Sequence, residues 1–265
     1  MDFEQVRKKL IAKGYMTDAA NAKIAHDVVL DALREAGFHD NVTVKGGVVM
    51  SGLTNVVRRA TMDMDVDFLR YSLSDTLIRR LVSRLNRVSS CKIAISRPIK
   101  ALKQQEYKGK RVYVSVEDAK GLSIETKIDI GVYTREEVEQ SEFGFRVVTR
   151  GGIVQLLVNN KEQIFVEKLK SLLRFGSAST RFKDVFDMYY LSKRIRKTVL
   201  RTYMKLYIYD DAKMRENDAA GVVRRLQRIF TNHRYMEQLA DPVYAWIDES
   251  PSDVAVRLVD FLSGV

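Results

Sequence analysis

The chain has 265 residues, 46% of them hydrophobic, with only 3 Pro and 14 Gly. That supports one large core or two modest ones and excludes a disordered or fibrous protein. Lys and Arg number 45 against 34 Asp and Glu, a formal net charge of +11, which suits a polyanionic partner or serves solubility alone.

Residues 3–13 set Phe3, Val6, Leu10 and Ile11 on one helical stripe. A second helix is expected from Thr17 or Asp18 as cap to about Ala36. Gly37 is its stop signal, and Ile24, Val28, Val29 and Leu33 form its apolar face. Val42-Thr43-Val44 reads as a strand ending at Gly46-Gly47, and Val48 to Asn55 as a short helix. Met62 to Phe68 keeps a strict period of two, so Met62, Met64, Val66 and Phe68 face one side and Asp63, Asp65 and Asp67 the other.

Ser74 caps an amphipathic helix through Leu77, Ile78, Leu81, Val82 and Leu85. Three strands follow near 92–96, 111–116 and 122–131, with a hairpin turn at Lys108-Gly109. In the last of them Ile124, Ile128 and Ile130 alternate with Glu125, Lys127 and Asp129, so Asp129 shares a polar face. The single cysteine, Cys91, precedes Lys92-Ile93-Ala94-Ile95 and reads as a core residue. It excludes an internal disulfide and suggests a reducing compartment. Thr134 to Glu137 has the spacing of a capping box.

Beyond about residue 150 strand signals give way to helices near 161–175, 180–195, 198–208, 219–239 and 252–263, with a break at Gly176-Ser177-Ala178-Ser179. The expected organisation is an α/β domain over 1–150 followed by a helical domain over 151–265. No apolar run approaches the roughly 20 residues of a membrane helix, and Met1-Asp2-Phe3-Glu4 lacks the order of a signal peptide. A cytoplasmic protein with no membrane partner is expected.

Three aspartates on one strand face repel one another, and a cation among them relieves the repulsion. Mg²⁺ prefers hard carboxylate oxygens and shares its coordination with phosphates. Asp63 and Asp65 with Asp129 from a neighbouring strand would make a two-metal arrangement, one ion activating a hydroxyl and the other steadying pyrophosphate. Gly46-Gly47, between a strand and a helix, can present bare N–H groups to phosphate. Asp-x-Asp alone fits a solvated edge strand as well. The ordered series of strand, Gly-Gly, short helix and Arg59-x-Thr61-x-Asp63-x-Asp65 shifts the balance to a site. Downstream, Arg181, Asp184 and Asp187 fall at i, i+3 and i+6 on one side of a helix. Lys168 precedes them on another helix, where Asp184 could hold Lys168 or Arg181; an ion-pair ladder is the alternative.

Lys45-Gly46-Gly47 followed by Arg59-Ala60-Thr61-Met62-Asp63-Met64-Asp65 resembles the first motif of the AbiEii/AbiGii toxin family, within the DNA polymerase β-like nucleotidyltransferase superfamily. Glu167-Lys168-Leu169-Lys170 and Arg181-Phe182-Lys183-Asp184-Val185-Phe186-Asp187 are similar to the family's later lysine motif and Arg-x-x-Asp-x-x-Asp helix. Many superfamily members have Gly-Ser where this chain has Gly46-Gly47, and the nearest serine is Ser51.

The resemblance implies an α+β fold: a nucleotidyltransferase-type mixed β-sheet with flanking helices, followed by a helical C-terminal domain that contributes Lys168, Arg181 and Asp184 to the active site. It implies transfer of a nucleoside monophosphate from an NTP to a hydroxyl, with Asp63, Asp65, Asp129, Lys168 and Asp184 catalytic. Asp63, Asp65 and Asp129 would ligate Mg²⁺, two ions being expected and Mn²⁺ a substitute, with Asp129 a ligand or the base. Gly46, Gly47, Ser51, Arg59, Thr61, Lys168 and Arg181 would bind the nucleotide. A toxin with an antitoxin or phage-defence role follows; the resemblance implies an acceptor such as the 3′ end of tRNA, and the charge is compatible with RNA. A protein acceptor and an inactive nucleotide- or RNA-binding module are the alternatives.

Other residues read more plainly. His26, His39 and His233 lack zinc-ligand spacing. Tyr203, Tyr207 and Tyr209 are expected mostly in the core, and Arg194, Arg196, Lys197, Arg201 and Lys205 as a track for RNA. Trp246 reads as core packing.

Overall fold

The computed structural model describes residues 1–69, 73–102, 109–133, 138–149 and 151–265. The Lys108-Gly109 turn and the Thr134–Glu137 capping box therefore lie outside the described residues, apart from Gly109, which opens a strand. Two units are present, Met1–Asn159 and Asn160–Val265.

The first unit opens with helix α1 (Phe3–Ala12), whose cap Asp2 accepts from the Gln5 N–H at 3.0 Å. Phe3 and Leu10 are buried as the stripe predicts, but Ile11 is 43% exposed. Only one narrow face of this short helix meets α2 (Thr17–Glu35), and Ile11 lies off it. Ile24, Val28, Val29 and Leu33 of α2 are all buried. Met16, and not Thr17 or Asp18, stands at the cap, without a side-chain bond. Gly37 follows at φ +72°, a left-handed stop that favours glycine.

The sheet contains β1 (Val42–Lys45), β2 (Asp63–Leu69), β3 (Lys92–Ile95), β4 (Lys100–Leu102), β5 (Gly109–Glu117), β6 (Ser123–Tyr133), β7 (Gln140–Arg146) and β8 (Ile153–Asn159). Its order is β3-β5-β6-β2-β1-β8-β7, with β4 also on β5. β2 runs parallel to β6 and antiparallel to β1, and β1 runs parallel to β8, so the sheet is mixed and the class is α+β. Met64, Val66 and Phe68 are buried on one face of β2, while Met62, just outside the strand, is 51% exposed. Between β1 and β2 lies α3 (Gly46–Thr54), which already includes the glycine pair. After β2 comes α4 (Asp75–Val88), where the Ser74 side chain accepts from the Leu77 N–H at 3.2 Å.

β4, β7 and β8 correct the sequence reading. β8 lies beyond residue 150, where only helices were expected, and the first unit runs on to Asn159. Its sequence, Ile-Val-Gln-Leu-Leu-Val-Asn, is a short apolar run that periodicity alone cannot distinguish from helix. β7 is Gln-Ser-Glu-Phe-Gly-Phe-Arg, poor in β-branched residues.

The second unit is helical: α5 (Lys161–Phe175), α6 (Phe182–Ser192), α7 (Lys197–Met204) continuing into a wider π turn over 205–209, α8 (Ala219–Phe230), α9 (His233–Leu239) and α10 (Pro251–Ser263). The helix expected over 219–239 is two, because Asn232 breaks it and caps α9 by accepting from the Tyr235 N–H at 2.9 Å. Tyr203 and Tyr207 are buried, as is Trp246.

Candidate functional site

Strand register builds the site in the first unit. It sets Lys45 opposite Asp65, Asp65 beside Asp129 and Asp129 opposite Arg111. The result is a row of four charged residues on four adjacent strands, β1, β2, β6 and β5. The sequence-predicted carboxylates Asp65 and Asp129 thus meet, and two residues back along the same strands Asp63 lies beside Lys127.

Each neighbouring carboxylate has a cationic partner. Arg111 Nε and Nη2 donate to Asp129 Oδ1 and Oδ2, both at 2.8 Å, a bidentate pair that fixes the carboxylate plane. Lys127 Nζ lies 2.8 Å from Asp63 Oδ1. Lys45 Nζ bridges to Asp67 at 2.7 Å. Among the described residues no three His, Cys, Asp or Glu side chains are gathered as a ready metal cage.

Asp65 is the perturbed group. Burial is the largest influence on it; Lys45 opposes that, while Asp129, Asp63 and Asp67 add to it, leaving the carboxyl at about 6. The folded protein therefore binds this proton more tightly than the unfolded chain, whose aspartates titrate near 3.8. Stability falls as pH rises through roughly 4 to 6, and the cost is fully present above 6. Asp65→Asn is expected to raise stability at pH 7 in metal-free buffer by about 1–3 kcal/mol. The gain over the wild type should vanish below pH 4, as urea denaturation at several pH values would show.

The glycine pair packs against these residues. Gly46 has φ +66°, and a Cβ there would lie 2.6 Å from Asp65 Oδ2. A Cβ on Gly47 would collide with Thr61 Oγ1, whose hydroxyl donates to the Asp63 carbonyl at 3.3 Å. The space that a Gly-Ser sequence would give to a serine is filled here by Thr61. Ser51 sits further along α3, lining a cavity with Thr61. Arg59 is 3% exposed in a single 3₁₀ turn, so its side chain is buried within the first unit.

In the second unit Lys168 of α5 meets α6. Its ammonium pairs with Asp184 and lies 2.9 Å from Asp187 Oδ2. Asp187 is fully buried and also accepts from Trp246 Nε1 at 3.1 Å. Arg181 is the residue before α6, at φ −92° and ψ 55°, and not part of a shared helical face with Asp184 and Asp187. The expected RNA track consists of residues engaged locally. Arg194 stacks 3.8 Å from the Tyr190 ring centre, Arg196 bonds Glu162, Arg201 donates to the Gly264 and Val265 carbonyls, and Lys205 pairs with Asp210.

Sequence reasoning did not assign Arg111, Lys127, Lys45 or Asp187 to the site. Only Lys45 and Asp187 carried any signal, as flanks of the two motifs.

Three comparisons with known proteins bear on the chain's family. No curated protein matches the chain. The solved structure of an antigenic nucleotidyltransferase-like protein from Paracoccidioides brasiliensis is 13% identical, with a TM-score of 0.40 over 79% of this chain and 92% of that one. Residues 28–248 match the family described as nucleotidyl transferase AbiEii toxin of type IV toxin–antitoxin systems. With the match spanning most of its length, both motifs included, the chain belongs to the AbiEii family of nucleotidyltransferase toxins.

Proposed function

We propose that the protein transfers a nucleoside monophosphate from an NTP to a hydroxyl of RNA in a Mg²⁺-dependent reaction, as the toxin countered by a cognate antitoxin. The observation that carries this reading is Asp65. It is held against Asp129 by strand register and raised to about 6, an arrangement that a hard divalent cation would relieve. The donor set fits such an ion: Asp63 and Asp65 on β2 would hold it, with Asp129 beside them. When bound, the ion neutralises triphosphate charge and acidifies the attacking hydroxyl.

The chain's own groups do the rest. Gly46 and Gly47 open α3, whose first N–H groups would meet phosphate, and their missing Cβ atoms make room for Asp65 and Thr61. Arg111 and Lys127 hold Asp129 and Asp63 in fixed orientations, limiting reorganisation during reaction. The acceptor oxygen forms a bond to the α-phosphorus, the bond to the bridging oxygen breaks, and pyrophosphate leaves. The hydroxyl proton passes to a carboxylate oxygen of Asp129. An RNA acceptor is favoured by the net charge of +11.

The test is incubation with each α-labelled NTP and Mg²⁺, together with total RNA and total protein. Label in RNA supports the reading, and label in protein replaces the acceptor. No transfer and no pyrophosphate with any NTP refutes it. Gly46→Ala is expected to cost about 1–2 kcal/mol of stability from its left-handed backbone. By pushing Asp65 aside it should also lower transfer on the order of 10²-fold, read from denaturation and from the same labelling assay.

A further inference from the structure

The first unit contains a cavity of about 910 Å³ between α1, α2, α3 and the β7–β8 connection. Its frame is built and not incidental. Asp27, 3% exposed, accepts from Lys23 Nζ at 2.9 Å and from the Val148 N–H at 2.9 Å, tying α2 to the β7–β8 connection. Leu10, Leu30, Val48, Phe145 and Val147 supply apolar wall, and Ser51, Asn55 and Thr61 supply hydroxyl and amide groups along the α3 side.

Two features say what the cavity would take. The first is charge: among the described residues it is lined by Lys13, Lys23 and Arg146 against one carboxylate, Asp27, and Lys23 is committed to Asp27. Lys13 and Arg146, both exposed, are left to act on a ligand. The second is His26, which lines the cavity, is 4% exposed and whose Nε2 has no hydrogen-bond partner. Burial holds this imidazole neutral, lowering it to about 4, and its hydrogen bond to the Met62 backbone occupies the other, proton-bearing nitrogen, so Nε2 is an unmet acceptor. A buried acceptor left unmet costs free energy, and a ligand N–H would recover it.

We propose that this cavity binds a nucleoside phosphate, its base between the apolar walls near His26 and its phosphate towards Lys13 and Arg146. An aromatic body with N–H donors, a sugar with hydroxyls and an anionic end match the three kinds of lining group, and the volume suits a ligand of that size. The choice of ligand rests on the nucleotidyltransferase reading; the cavity does not. Its position beside Thr61, two residues before Asp63, would place such a nucleotide next to the first motif. The ligand could arrive as a free NTP or as the terminal nucleotide of an RNA, which present the same chemistry.

The experiment measures equilibrium binding of each NTP, and of a short single-stranded RNA, to the full chain carrying Asp63→Asn in EDTA, so that no turnover occurs. Lys13→Ala with Arg146→Ala, two exposed positions, should weaken binding about tenfold or more. Ser51→Trp, which fills the cavity, should do the same. Lys8→Ala with Lys9→Ala removes equal charge from α1, outside the cavity lining, and should change nothing. A loss confined to NTPs identifies the free nucleotide, and a loss confined to RNA identifies the terminal one; either supports the site. Unchanged binding of both ligands to the Lys13/Arg146 variant, or an equal loss in the Lys8/Lys9 control, overturns it. Transfer by the wild-type chain is scored separately. Transfer with cavity binding absent sinks this inference alone, and cavity binding with transfer absent sinks the proposed reaction alone.

Discussion

Asp63→Asn and Asp65→Asn are each expected to lower nucleotidyl transfer on the order of 10³-fold while leaving the protein folded. Asparagine keeps the shape and removes the charge, so the loss would report the carboxylate itself. The two variants should part in stability. Asp65→Asn relieves a carboxyl that burial and three neighbouring aspartates disfavour, so it gains stability as it loses activity. Asp63 is half exposed and paired with Lys127, so its replacement should change stability by less than about 1 kcal/mol. Side-by-side labelling and urea denaturation check both statements. Retained transfer in Asp65→Asn would remove Asp65 from the chemistry.

The second large effect belongs to Lys168. Its ammonium neutralises Asp184 and the fully buried Asp187, so Lys168→Met, which keeps most of the stem, takes a cationic partner from two carboxylates of the second unit. Removing one partner from a buried ion cluster costs about 3–5 kcal/mol. Adding Asp187→Asn should return part of that loss, because the neutral amide needs no counter-ion and keeps an oxygen for the Trp246 N–H. Trp246 is the chain's single tryptophan and touches Asp187, so its fluorescence reads unfolding of the second unit directly. An unchanged urea midpoint in Lys168→Met would show that the cluster contributes nothing net.

These effects show which parts of the site sequence can carry. The alternation in 62–68 and in 122–131 placed Asp63, Asp65 and Asp129 on polar faces because a strand's period of two is a local property. Arg111 and Lys127 could not be read in the same way. Each acts through register with another strand, and one residue of slip would put different partners opposite. Asp187 was visible as part of a helical motif, but its burial and its bond to Trp246 span 59 residues of chain. The glycine pair shows the limit from the other side. Its presence was plain, whereas the reason for the second glycine, the Thr61 hydroxyl lying over it, is a tertiary contact. β7 and β8 were missed because tertiary pairing makes strands of segments whose local preference is weak or ambiguous.

The placement of β1 also bears on how the protein is made. Lys45 and the glycine pair follow a strand whose two neighbours are β2, a short distance along the chain, and β8, where Thr43 pairs with Leu157. During synthesis the segment bearing the motif emerges early, but its flank stays an open edge until residue 159 has been translated. Long-range parallel pairing of this kind is slow to close. The nascent toxin therefore carries Lys45 and the glycine pair for more than a hundred codons before the sheet that aligns them can be completed. Nascent chains stalled before β8 should be both inert and prone to pair through that edge.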